Sequence, residues 1–323
     1  MAAAGQRTIR PGWERTFRAM GTECHVIVEG GSRRLLDLAQ TEIERLELLW
    51  SRFLEDSELS RLNRRGALVV SQETADLLAR SAWGQGLTHG LFDPFLEREI
   101  VAQGYSRDFA DLEEAGASAG AGEVSRAGSS RGRLSVLAAA RREGRTYLNR
   151  RTGLAQLPRG YRLDSGGLGK GLAADRVARS LMGAGAAAAL VNLGGDLRTM
   201  GHPSRGMWQI GIADESEVGD QVLSVNLASG GLATSSVTRR RWRVAGADRH
   251  HLLNPRTGRP AHARIAAATA IAEAGWLAEV MAKAALLGEA ADAAQLVVRR
   301  NGAILERRWD GGVDQHLHMA PQG

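Results

Sequence analysis

At 323 residues, with 43 % hydrophobic and 24 % charged residues, the chain has the balance of a soluble globular protein of one large domain or two ordinary ones. The net charge of +6 invites a nucleic-acid partner, yet the arginines are scattered and aromatic residues reach only 5 %, so no nucleic acid is expected. Cys24 is the single cysteine, which excludes an intrachain disulfide.

The first residues lack a continuous apolar run, so a cytoplasmic protein without a signal peptide is expected, with residues 1–14 as a flexible segment. Thr16 to Val28 alternates as one strand that carries Met20-Gly21-Thr22. Ser32 opens an amphipathic helix to about Leu49, and WSRFLEDSELSRLN continues as a turn and a short helix capped at Asp56 or Ser57. A second helix covers Gln72 to Trp83, stopped by Gly84 and Gly86, and THGLFDP forms a loop. Residues 111–145 are low in complexity and are expected to be a surface insertion.

From Tyr161 the pattern is strand, glycine-rich turn, helix (Leu172 to Met182), strand (Ala187 to Leu193) and the turn GGD. Strands follow at Trp208 to Ala213, Val222 to Leu227, Arg240 to Val244 and Ile265 to Ala272, then a helix at Leu277 to Leu287. The most apolar stretch, Ala261 to Gly288, is interrupted by Arg264, Glu273, Glu279 and Lys283, which argues against a membrane span. Strands mixed with several long helices predict an α+β or α/β protein.

Two features point to chemistry. Of 42 basic residues only Lys170 and Lys283 are lysines; a compact ammonium and a planar guanidinium do not interchange in tight sites, so these two mark the place to look. The segment DSGGLGKGLAAD (Asp164 to Asp175) puts glycines and Lys170 at a helix start, where backbone N–H groups and the lysine attract anionic oxygens. It fails the P-loop pattern, because Gly171 follows Gly169-Lys170 where Ser or Thr is required. Gly169, Gly171 and Ala174 give a loose G-x-G-x-x-A, but Tyr161 to Asp164 is too polar for the buried first strand of a dinucleotide fold.

MGT, WSRFLEDSELSRLN, FDP, DSGGLGKGLAAD, VNLGGD, ATSS, HHLLNPRTGRP and AEVMAKAALLG follow one another in that order. Together they resemble the FAD:protein FMN transferases, the ApbE family, from about Phe17 to Gly288. The resemblance implies a two-lobed, T-fold-like α+β architecture with mixed sheets and packed helices, residues 15–310 forming one domain and 311–323 a tail. It implies an enzyme that cleaves the FAD pyrophosphate, attaches FMN to a Ser or Thr hydroxyl of an acceptor protein and releases AMP. Binding of FAD without transfer, and hydrolysis to FMN and AMP, stay open beside it.

By the same matching, Met20, Phe53, Asn63, Phe92, Asp93, Asp164, Lys170 and Leu253 would hold FAD, with Phe53 where a tyrosine is usual. His251 would be the general base, imidazole titrating near neutral pH. Asn254 stands where the family has aspartate and would keep a turn through its side chain. The family's magnesium ligands fall on Gly167, Glu279 and Lys283. An ammonium has no lone pair for a metal, and Glu at i with Lys at i+4 makes a helical ion pair instead. Lys283 is therefore expected to take part of the cation's place beside the pyrophosphate, and any bound magnesium would rest on Glu279.

Overall fold

The computed structural model describes residues 12–106, 146–213, 221–238, 240–244, 247–263, 265–288, 303–307 and 313–317; the expected insertion at 111–145 lies outside them. The helices are α1 (Arg34–Trp50), α2 (Glu58–Arg65), α3 (Gln72–Leu87), α4 (Glu97–Ala102), α5 (Gly169–Gly183) and α6 (Gly275–Leu287). The strands begin with β1 (Gly12–Ala19), β2 (Thr22–Glu29), β3 (Ala67–Val69), β4 (Tyr147–Leu148), β5 (Leu154–Gln156), β6 (Ala188–Leu193), β7 (Asp196–Gly201), β8 (Trp208–Ala213) and β9 (Gln221–Leu227). They continue with β10 (Gly230–Ser236), β11 (Arg241–Val244), β12 (Ala247–His250), β13 (Leu253–Asn254), β14 (Arg259–Pro260), β15 (Ala267–Ala272), β16 (Ala303–Arg307) and β17 (Val313–Leu317).

An eight-stranded sheet in the order β1-β2-β6-β7-β10-β15-β16-β17 forms the frame, with β3-β5-β4 as a small second sheet. The α+β class is as expected, but every described strand pairing is antiparallel, so the sheets are not mixed. Period-two alternation sorts the side chains of the large sheet. Cys24, Val26 and Val28 of β2, Ala189, Val191 and Leu193 of β6 and Ala268, Ala270 and Ala272 of β15 face the main core with α1, α5 and α6. Ile27, Leu190 and Ile271, one residue out of phase, pack on the other face with Ile210 and Trp208 of the β8–β9 hairpin. The small residues on the helix side let α6 lie close. A Cβ on Gly231 would stand 2.4 Å from the backbone of Ala274 and Gly275, and one on Gly171 would stand 2.4 Å from the Gly275 carbonyl oxygen.

α6 is buried nearly all round, which explains the most apolar stretch of the sequence: it is a core helix. Among the described residues no helix is long and apolar enough to cross a membrane.

Several boundaries depart from expectation. The single strand at Thr16 to Val28 is a hairpin, because Met20 and Gly21 both take positive φ (53° and 64°), the two-residue turn that matches strand twist. α3 runs through Gly84 to Leu87, since the glycine is there for packing: a Cβ would lie 3.2 Å from Val280 and 3.3 Å from Phe92. Residues 12–14 belong to β1 and residues 313–317 to β17, so neither end segment is wholly outside the sheet; backbone pairing with β2 and β16 holds their polar sequences. Tyr161 to Asp164 is not a strand. Ser57 is the α2 cap, accepting from the Ser60 N–H, as expected. Ser32 does not cap α1, whose N-cap position is Arg33, one residue later.

Candidate functional site

The glycine-rich segment is a 3₁₀ turn, Ser165–Gly167, leading into α5, and it is tied down from three sides. The Ser165 hydroxyl donates to the Trp50 carbonyl at the end of α1 (2.7 Å). The Asp164 carboxylate accepts from the Gly166 N–H (2.9 Å), and the Asp164 N–H donates to the Pro94 carbonyl (2.8 Å). Gly167 passes over the Phe92 ring, 2.6 Å from where a Cβ would be, so only glycine fits. The closing Asp175 of the motif has a structural task. Its carboxylate accepts from the Gly275 and Trp276 N–H groups (2.8 and 3.0 Å), capping α6, although burial raises its pKa.

Two other motifs are turns that frame the same place. Gly194 and Gly195 take positive φ in a two-residue hairpin that pairs Leu193 with Asp196. Thr22 of the first hairpin packs against Gly194, 2.1 Å from where a Cβ would be. This turn delivers Asp196 to Lys170, whose ammonium donates to the Asp196 carboxylate. In HHLLNPRTGRP the Asn254 side chain accepts from the Arg256 N–H (2.9 Å), the turn expected of it.

One cleft gathers Met20, Phe53, Phe92, Asp93, Asp164, Gly167, Lys170, His251, Leu253 and Lys283, ten of the twelve residues expected in the site. Asn63 is not among them. Its side chain bridges to the Leu163 N–H (2.8 Å) and carbonyl (2.9 Å), so it shapes the run into Asp164 from behind. Glu279 is fully buried beneath the cleft.

The cleft has two unlike ends. At one, the Arg52 guanidinium lies 4.2 Å from the centroid of Phe53 and 4.6 Å from that of Tyr105, and Tyr105 stacks on Trp242 (5.2 Å, 27°). Arg52 Nη1 donates to the Tyr105 carbonyl (2.9 Å), and Arg52 Nε lies 3.7 Å from Asp164. This is an aromatic wall suited to a flat ring. At the other end stand Lys170, Lys283, Arg240 and His251. Lys283 Nζ lies 3.2 Å from Glu279 Oε1 and Lys170 Nζ 3.9 Å from the same oxygen, while Glu279 Oε2 accepts from the Gly171 N–H (2.9 Å). Burial lowers the Lys170 pKa to about 8, with Glu279 opposing it.

The two histidines divide their work as neighbours in an extended segment do. His250 Nε2 meets the Ala261 carbonyl (3.1 Å), whereas His251 lines the cleft; the buried Nδ1 of each has no hydrogen-bond partner. Burial, then the charges of Arg240 and Lys283, press the His251 pKa well below 6.5, so its imidazole is neutral and able to accept a proton.

The residues present do not fit magnesium. Both Glu279 oxygens are engaged, and an ammonium occupies the space beside Oε1, bringing donors where a metal needs lone pairs. Among the described residues no group of three or more His, Cys, Asp or Glu side chains is placed to hold a metal ion. Arg52, Tyr105, Arg240 and Asp196 were not among the expected site residues. Asp196 and Arg52 could have been found, since they lie in the quoted VNLGGD and WSRFLEDSELSRLN; Tyr105 and Arg240 carry no local signal.

Comparison with known proteins matches the ApbE family over residues 20–305. The chain is 28 % identical over 319 residues to the FAD:protein FMN transferase of Salmonella typhimurium, covering 94 % of this chain and 86 % of the relative. It is 26 % identical over 314 residues to that of Escherichia coli K12, with the same coverage. The crystal structure of an ApbE protein from Thermotoga maritima superposes with a TM-score of 0.79 at 23 % identity, covering 94 % of this chain and 97 % of the other. The flavin transferase ApbE from Vibrio cholerae gives 0.71 at 20 %, covering 95 % and 96 %.

Proposed function

We propose that this chain, which belongs to the ApbE family, transfers FMN from FAD to a Ser or Thr hydroxyl of an acceptor protein and releases AMP. The observation that carries the reading is the polarity of the cleft: an aromatic wall at one end, three cations and His251 at the other. FAD has the matching parts, a flat ring system and a pyrophosphate.

In this reading the flavin ring lies along Phe53 and the apolar lining, and the pyrophosphate reaches Lys170, Lys283 and Arg240. Phosphoryl transfer depends chiefly on alignment and charge neutralisation, which these cations supply. The acceptor oxygen attacks the phosphorus of the FMN half. Its proton goes to the His251 imidazole, the bond between that phosphorus and the bridging oxygen breaks, and AMP departs with the bridging oxygen. Burial depresses His251 first and the neighbouring cations second, and an anionic ligand offsets only the second cause.

Incubation of the purified protein with FAD and a total protein extract tests the reading. Flavin fluorescence that survives denaturing electrophoresis supports it. Free FMN and AMP without bound flavin would mean that water is the acceptor.

A further inference from the structure

We infer that this chain holds the FAD pyrophosphate without a divalent cation, the Lys283 ammonium seated on Glu279 standing where a metal ion would otherwise bridge protein and phosphate. The inference rests on FAD being the ligand.

Three features carry it. The first is the anchoring of Lys283: its side chain is 14 % exposed and its Nζ lies 3.2 Å from Glu279 Oε1, one helical turn back on α6. Exposed pairs of this spacing contribute little, but Glu279 is fully buried and is itself held by the Gly171 N–H, so the ammonium is fixed in place. The second is the surrounding charge. Asp196 and Glu279 face Lys170 and Lys283, and Arg240, which the sequence did not mark, joins them at the cleft. Three cations against two carboxylates give this group one net positive charge, while Glu47, Asp93 and Asp164, with Arg52, also line the cleft. A dication added to this group would meet repulsion from all three. The third is the donor inventory. The oxygen that could ligate a metal is already shared between two ammonium groups, whereas ammonium N–H donors suit phosphate oxygens.

FAD binding, read by quenching of flavin fluorescence, tests the inference without calling on catalysis. For the intact protein, the Kd in EDTA is expected to agree within about twofold with the Kd in millimolar MgCl2, because the cation is covalently part of the chain. Lys283→Met should weaken binding by about tenfold or more in either buffer, the loss of one charge-assisted contact. Lys283→Thr should weaken it similarly in EDTA and recover with MgCl2, since the hydroxyl restores an oxygen ligand and removes the repelling charge. Circular dichroism of both variants excludes unfolding as the cause, and the unsubstituted protein decides the matter even if they fail to fold. A tenfold loss in EDTA, restored by magnesium, would overturn the inference and leave the transferase reading intact. Metal-independent binding without AMP release would do the reverse. Absence of FAD binding in both buffers would overturn both.

Discussion

Lys170 and Lys283, the two lysines of the chain, converge on one oxygen: Glu279 Oε1 lies 3.9 Å from the first and 3.2 Å from the second. They arrive from the starts and middles of different helices, α5 and α6, which cross where Gly171 and Gly275 touch through their backbones. The charge arrangement therefore depends on that close crossing, and several outcomes follow from it.

Gly171→Ala places a methyl 2.4 Å from the Gly275 carbonyl oxygen, backbone that cannot swing aside. A loss of about 1–3 kcal/mol in unfolding free energy is expected, with weaker FAD binding as the lysines separate. Urea titration reads the first effect and fluorescence the second. Unchanged stability would mean that the two helices do not cross this tightly.

Lys170 makes FAD affinity depend on pH. Its pKa is lowered from 10.5 to about 8, so below pH 8 the ammonium is charged and ready for phosphate. Above that, binding must take up a proton, and Kd should rise by up to about tenfold per pH unit. Folding stability has the opposite sign. Between pH 8 and 10.5 the unfolded chain binds the proton that the folded one has lost, so this group makes stability increase with pH. Lys170→Met should abolish both slopes.

His251→Ala should lower FMN transfer by about 10²–10⁴-fold while FAD affinity changes little, the pattern of a lost proton acceptor. His250→Ala removes the contact to the Ala261 carbonyl and should act mainly on stability. Equal effects of the two on turnover would contradict the division of roles.

Asn63→Ala removes both hydrogen bonds to Leu163 and should cost about 1–3 kcal/mol of stability. Phe53→Ala should instead spare stability, since the ring is 37 % exposed, and weaken FAD binding by about tenfold or more. Calorimetry and fluorescence on the same pair of variants separate a residue that shapes the loop from one that meets the ligand.

Much of the site was legible in the sequence because its residues sit in turns, where local chemistry fixes geometry. Asp164 over Gly166, Asn254 over Arg256 and the paired glycines before Asp196 each work within a few residues. The helix cap at Ser57 belongs to the same class. What could not be read was set by distant partners. Gly84 lies inside α3 because Val280 and Phe92 need the space, not because the helix ends. Arg52 belongs to the site through the rings of Phe53 and Tyr105, and Tyr105 lies far along the chain. Glu279 looked like a metal ligand by position, and only the N–H of Gly171 and the two ammonium groups show its oxygens already engaged.

The most direct test of FMN transfer is a stoichiometry: AMP released into solution against flavin bound covalently to protein, after incubation with FAD, millimolar MgCl2 and a total protein extract. One AMP for each covalently bound FMN, with both lost in His251→Ala, is the expected result. AMP matched by free FMN with no flavinylated protein, or no AMP at all, would contradict the assignment.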